Sequence, residues 1–159
     1  MNIYKKQETA KGKWDSFFKD NWDSPYMIVS SGIYDCRKLD GFTYVGEKAE
    51  IIGLITYVES EEEVEIVSLD RLREGRGIGS LLIDRVESVA DGRRIKVITT
   101  NENIHAIRFY QRRGFRLKSV VRGAVEKARL VKPSIPRFSS TGIPILDEIV
   151  LVKGDGEGE

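Results

Sequence analysis

The stretch LREGRGIGSLLIDRVE, Leu72 to Glu87, is where this 159-residue sequence first points to chemistry. Gly75, Gly77 and Gly79 alternate with other residues and run into a segment where Ile78, Leu81, Leu82, Val86 and Val89 fall at helical spacing. Glycine loses the most freedom on folding, so three in such close order point to a backbone that something must approach directly. A tight loop entering a helix turns free N–H groups and the positive end of the helix dipole outward, which are the parts of an anion site. Arg71, Arg73 and Arg76 add local positive charge. Two common nucleotide loops are excluded by spacing. Gly79 comes one residue too early for G-x-G-x-x-G, and no lysine follows the glycines as a P-loop requires. On the glycines alone, a phosphate cradle and a plain glycine-rich turn stand level.

A second constellation, NENIHAIRFYQRRGF (Asn101–Phe115), lies one strand downstream. Asn101–Asn103 can cap a helix over Ile104–Arg113, and Gly114 is a natural residue just beyond its end. By spacing alone Tyr110 reads as a core tyrosine, since it shares a helical face with Ala106 and Ile107. His105 is the sole histidine and Cys36 the sole cysteine. Neither has the neighbours of a metal site, and a lone cysteine forms no intrachain disulfide. Arg112 and Arg113 suit the negative end of a helix. Trp14 and Trp22 read as core.

The elements that must position these residues can be read from periodicity and punctuation. Trp14–Ser24 reads as a short aromatic helix or turn and Tyr26–Ser31 as a strand. Phe42–Val45, a turn at Gly46–Lys48 and Ala49–Glu59 read as a hairpin, ESEEE as a solvated turn, and Val64–Leu69 as the next strand of a β-meander. The helix after the glycine loop ends at Asp91-Gly92. Arg93–Thr100, Phe115–Val121 and Ile145–Lys153 are strands, and Gly123–Leu130 is one or two helical turns. The proline-bearing run KPSIPRFSSTGIP is irregular, and residues 154–159 read as a frayed tail. Strands in a run, then helix, strand, helix and strand, make the fold class α+β, in a single domain over residues 1–153.

Bulk numbers bound the remainder. Lys+Arg 26 against Asp+Glu 25 leaves a net charge of +1, which argues against a general nucleic-acid or membrane-surface binder. No apolar run approaches the roughly 20 residues of a membrane span, and the first residues lack the apolar stretch of a secretory signal. The expectation is a cytoplasmic protein with no nucleic-acid or membrane partner and no metal.

The glycine loop and the downstream helix, taken together and in this order, resemble the GNAT superfamily of acyl-CoA-dependent N-acetyltransferases, in a bacterial subgroup of unassigned substrate. The matching residues are Gly77 and Gly79 in the loop, then Asn103, Ala106, Tyr110, Gly114 and Phe115. The resemblance covers Val64 to Val121. It implies a central mixed, mostly antiparallel sheet flanked by helices and splayed between the family's fourth and fifth strands, here Val64–Leu69 and Arg93–Thr100. Where the family carries Gln or Arg before its glycines, this sequence has Glu74.

The resemblance also implies roles. Acetyl-CoA is the acyl donor and a primary amine of a small molecule or peptide the acceptor, joined by direct attack in a ternary complex. The backbone of Val67 and Leu69 pairs with the pantetheine arm. The loop Glu74, Gly75, Arg76, Gly77, Ile78, Gly79 and Ser80 holds the pyrophosphate. Asn103, with Ala106 beside it, meets the cofactor arm, and Tyr110 is the general acid to the departing thiolate. Glu65 is the first candidate for the base and Asp70 the second. Glu65 shares strand parity with Val67 and Leu69, and a polar residue at a sheet edge explains it equally well. A non-catalytic acyl-CoA sensor on the same fold is the alternative function. The crossover Gly123–Ile145 either walls the acceptor site or crosses to a second subunit of a homodimer.

Overall fold

In chain order the elements are β1 (Ile3–Lys5), α1 (Lys11–Asn21), β2 (Tyr26–Val29), β3 (Gly32–Asp35), β4 (Asp40–Val45), β5 (Ile51–Glu59), β6 (Glu63–Arg71), α2 (Ile78–Ala90), β7 (Arg94–Thr100), α3 (Ile104–Arg112), β8 (Arg116–Val121), α4 (Ala124–Val131) and β9 (Glu148–Lys153). They come from a computed structural model that describes residues 2–9, 11–22, 24–72 and 77–154. The chain packs as two compact units, one of Met1–Met27 with Tyr34–Arg93 and the other of Ile28–Ile33 with Arg94–Glu159. The α+β class read from the sequence is the observed one.

In the first unit β4, β5 and β6 form the expected antiparallel meander, and β1 adds to β4 as a further antiparallel strand. β1 and β3 were not expected: IYK and GIYD are too short to show a period. β2 and β3 make a separate two-stranded sheet.

α1 and α2 cover opposite faces of the meander. Phe17 and Phe18 of α1 cluster with Leu54, Val67 and Cys36. α2 buries Ile78, Leu82, Ile83 and Val86, the i, i+4, i+5, i+8 stripe of an amphipathic helix. Its first residue is seated by a close approach. A Cβ on Gly53 of β5 would stand 2.7 Å from Ile78 Cγ2 and 3.3 Å from Leu82 Cδ1, so the bare backbone there fixes where α2 begins. Asp91 and Gly92, at φ +49° and +88°, end the helix where the sequence placed its end.

In the second unit β9 lies between β7 and β8 and pairs antiparallel with both. α3 stops at Arg112, and Gly114 at φ +92° turns the chain into β8. The irregular run after α4 is ordered by polar clamps. The buried Arg129 guanidinium donates to the carbonyls of Ile135 (3.1 Å), Pro136 (2.8 Å) and Ile145 (2.8 Å). Asn101 holds the same run. Its Nδ2 donates to the Pro144 carbonyl, and its Oδ1 accepts from the N–H groups of Leu146 and Asp147. Asn101 is thus a clamp, and Asn103 alone is the helix cap.

Candidate active site

Of the residues singled out from the sequence, Glu65, Val67, Leu69 and Gly77 to Ser80 belong to the first unit, and Asn103, Ala106 and Tyr110 to the second. Glu74, Gly75 and Arg76 lie outside the described residues.

β6 carries the strand part of the site. Thr56 of β5 faces Ser68 and Tyr57 faces Ile66, so Val67 has no partner on β5 and forms a β-bulge. A bulge bends its strand and leaves the extra residue out of the ladder, which frees backbone groups for another partner. It also resets side-chain alternation. Glu65 faces Val58, Ser68 faces Thr56 and Asp70 faces Leu54, so these three share the face that α1 covers, where Val67 also packs. Leu69 faces Ile55 on the α2 side. The expected common parity of Glu65, Val67 and Leu69 therefore holds for the first two and is corrected for Leu69. Counting by twos along the sequence cannot register a bulge.

The α1 face of β5 and β6 holds a polar group among apolar neighbours. The Thr56 and Ser68 hydroxyls lie 2.6 Å apart. Both also bond to the buried Cys36 thiol, whose pKa is nevertheless pushed up to about 11 by burial. Cys36 opens a 3-10 turn, Cys36–Lys38, rather than lying in a loop, and its thiol is inert at neutral pH. Beside this group Trp22 Nε1 donates to Asp70 Oδ2 at 3.1 Å. Burial raises the Asp70 carboxyl to about 6, and the indole donor holds back part of that rise. Glu65 is also buried, at 6% exposure.

Gly77 is the N-cap of α2, with φ +70° and ψ +10°, and its carbonyl accepts from Leu81 N–H at 3.0 Å. Among the described residues no atom beyond its chain neighbours stands within 4 Å of where its Cβ would be. Glycine is needed here for the left-handed backbone, not for want of space. Among the described residues no side chain caps this helix start, and no acidic residue sits in the first turn of α2. The N–H groups and dipole of the α2 N-terminus thus keep the character of an anion site. Ile78 and Gly79 are buried under that start, and Ser80 is half-buried.

On α3, Asn103 Oδ1 accepts from Ala106 N–H at 3.2 Å, which is an N-cap bond, while the residue itself is exposed. Its oxygen holds the helix, which leaves its Nδ2 to donate elsewhere. Tyr110 is 6% exposed, and its ring packs edge-to-face on Phe109 and Phe115, each with centroids 5.3 Å away. The ring is locked by aromatic packing, so its hydroxyl has a fixed direction. Arg113 lies over the Phe109 ring at 3.7 Å and donates to the Phe109 carbonyl, so it serves the helix end. Trp14 and Trp22 pack against the Phe17–Phe18 cluster as core residues. Among the described residues no group of three or more His, Cys, Asp or Glu gathers as metal ligands, and no helix is long and apolar enough to cross a membrane.

The bond between Asp70 and Trp22 is a feature that the sequence does not show. The two residues are 48 positions apart, and no local signal joins them.

Comparison with known proteins bears on this arrangement. The family model described as "Acetyltransferase (GNAT) family" matches residues 7–115. The Bacillus subtilis (strain 168) protein YxbD, described as uncharacterized, is 46% identical over 156 residues, spanning 96% of this chain and 98% of its own. Two of the solved structures that share the fold are similar over nearly the whole chain. One is a Bacillus subtilis acetyltransferase in complex with CoA, with TM-score 0.65 and 17% identity, over 96% of this chain and 97% of that one. The other is a GNAT family acetyltransferase from Elizabethkingia anophelis with acetyl-CoA bound, with TM-score 0.62 and 18% identity, over 96% of this chain and 98% of that one.

Proposed function

The chain belongs to the acetyltransferase (GNAT) family, and from that premise we propose that residues 1–153 act as one catalytic domain. It moves an acetyl group from acetyl-CoA to a primary amine of a small molecule or peptide, by direct attack in a ternary complex. The observation that carries this reading is the family match over 7–115, which includes both the α2 start and the Asn103-capped α3. Solved relatives in fold hold CoA or acetyl-CoA, which supports the choice of donor.

The residues present suit such a donor. The uncapped α2 N-terminus, entered through a left-handed Gly77, accepts a pyrophosphate. The Val67 bulge releases backbone for the pantetheine amides, with Leu69 two residues on. Asn103 offers its Nδ2 beside Ala106. Acetyl-CoA supplies an activated acyl group on a thiolate leaving group. The chain's own part is to orient the acceptor and move its protons. One leaves the ammonium before attack, because a lysine-like amine near pKa 10.4 has about 4–5 kcal/mol opposing its neutral form at pH 7. A second passes from the Tyr110 hydroxyl to the sulfur as the C–S bond breaks and the new C–N bond forms, and the proton that the acylated nitrogen then sheds restores the Tyr110 phenol, leaving a neutral amide and the CoA thiol.

Two carboxylates on one face of β6 can take the amine proton. Glu65 is the one that the family resemblance favours. A specific observation favours Asp70: a carboxyl raised to about 6 is a stronger base than an ordinary one and is still ionised at neutral pH. Oδ2 is held by Trp22, which aims the side chain.

CoA release from acetyl-CoA, measured over a panel of amines, tests the function. Turnover with at least one primary amine is expected. Tyr110→Phe should lower kcat more than it weakens acetyl-CoA binding, and an unchanged kcat removes Tyr110 from the acid role. The burial of Tyr110 between two phenylalanines also suits a purely structural tyrosine, as in a non-catalytic acyl-CoA sensor. Tight acetyl-CoA binding with no turnover on any amine selects that second reading.

A further inference from the structure

A cavity of about 320 Å³ lies in the second unit, between the tip of the β2–β3 hairpin and the corner where β8 enters α4. One face of α4 forms much of its wall. Ala124, Lys127, Ala128 and Val131 are spaced i, i+3, i+4 and i+7, the positions that line up on a single helical face. The two alanines open the space, and Ile28 and Val29 of the hairpin close it from across. The lining holds two cations, Arg122 and Lys127, and no carboxylate.

Among the described residues neither cationic side chain has an ion pair or a hydrogen bond. Glu126, the acid closest in sequence, is exposed and lies outside the lining, and the two acids beside the cavity walls are engaged with backbone N–H groups. Both oxygens of the buried Glu148 carboxylate accept from Ser30 N–H, at 3.2 and 3.1 Å. Asp147 Oδ1 accepts from Gly123 N–H at 2.8 Å. Those bonds fix the hairpin tip and the α4 start, and so keep the cavity walls in place. An apolar recess with a few convergent polar groups is the usual form of a small-molecule site. Here the polar groups are two unanswered positive charges, one of them a guanidinium whose fork matches a carboxylate. The volume equals that of about ten water molecules, which sets the size of the guest.

We propose that this cavity binds a small organic carboxylate with an apolar body, the body against Ala124, Ala128 and Val131 and the carboxylate on Arg122 and Lys127. The proposal does not depend on the acyl-transfer reading, and its test needs no turnover. Hexanoate, hexanamide and inorganic phosphate are titrated into the full chain and monitored by calorimetry and by amide chemical shifts. Hexanoate should bind saturably and at least about tenfold tighter than hexanamide, because the amide lacks the charge that the two cations answer. Shift changes should centre on residues 28–30 and 121–131. Phosphate, which has no apolar body, should not compete. Arg122→Gln combined with Lys127→Gln, both exposed and so safe for folding, should erase the preference for hexanoate over hexanamide. Ala128→Leu should block both ligands by filling the recess. No saturable hexanoate binding, equal binding of the amide, or a preference that survives the double substitution would each overturn the proposal.

Discussion

Asp70→Asn separates the cost of a candidate base from its use. Burial raises the Asp70 carboxyl from an ordinary 3.8 to about 6 in the folded chain. Between those two values the native state keeps a proton that the unfolded state has lost, so stability falls as pH rises through that window. Below 3.8 both states are protonated and nothing is lost. Above about 6 the whole penalty is present and the curve is flat. That rise corresponds to about 3 kcal/mol. The asparagine keeps an oxygen to accept from Trp22 Nε1, so the indole bond at 3.1 Å survives the exchange. Denaturant unfolding at a series of pH values from 4 to 8, on parent and variant, reads the difference directly. The variant should match the parent near pH 4 and exceed it by up to about 3 kcal/mol at pH 7.5. The acidic limb of kcat/KM with an apparent pKa near 6 should vanish with the same substitution. Trp22→Phe removes the donor that restrains the shift, so it should move that limb to higher pH. A stability difference that stays constant from pH 4 to pH 7.5 would refute the burial argument.

Gly77→Ala should cost about 1–2 kcal/mol through its left-handed backbone, with no steric part, and Gly77→Asn should cost less; thermal melts and acetyl-CoA titration read both effects. Arg129→Ala strips three carbonyls of a buried donor and should lower unfolding free energy by about 2–4 kcal/mol, seen as an earlier denaturant midpoint. With its pKa near 11, Cys36 should stay silent to a dithiobis-nitrobenzoate reagent at pH 8 until the protein unfolds. Prompt labelling of the native chain would show the thiol to be accessible.

The parts of this fold that were legible in the sequence are those written in local signals. Asp91-Gly92, Asn103 and Gly114 mark helix ends by their own conformational preferences, and each stands where expected. The meander from Asp40 to Arg71 showed through its apolar runs and its acidic turn. The hidden parts depend on partners far along the chain. β1 is three residues long and exists as a strand because β4 offers it a ladder. The Val67 bulge is defined by β5, not by anything in β6 itself. The bond between Trp22 and Asp70 joins the residue after α1 to the end of β6. Nothing local marks Arg129, and only the returning chain at Pro136 and Ile145 gives it its work. The cavity beside α4 is likewise assembled from segments nearly a hundred residues apart, so no window of sequence contains it.

The extra residue in β6 also governs how this strand can change length. A strand is read in a frame of two, and Val67 absorbs one position so that Ser68 and Asp70 stay in frame with Glu65. Loss of a residue at Val67 would leave every pairing from Ser68 to Arg71 as it is and remove only the side chain that packs on Phe17 and Phe18. Loss of a residue later in the strand would turn the rest of β6 to the opposite face. Position 67 is therefore where β6 can shorten by one with its downstream chemistry still aimed at α1, at the expense of a hole in the core.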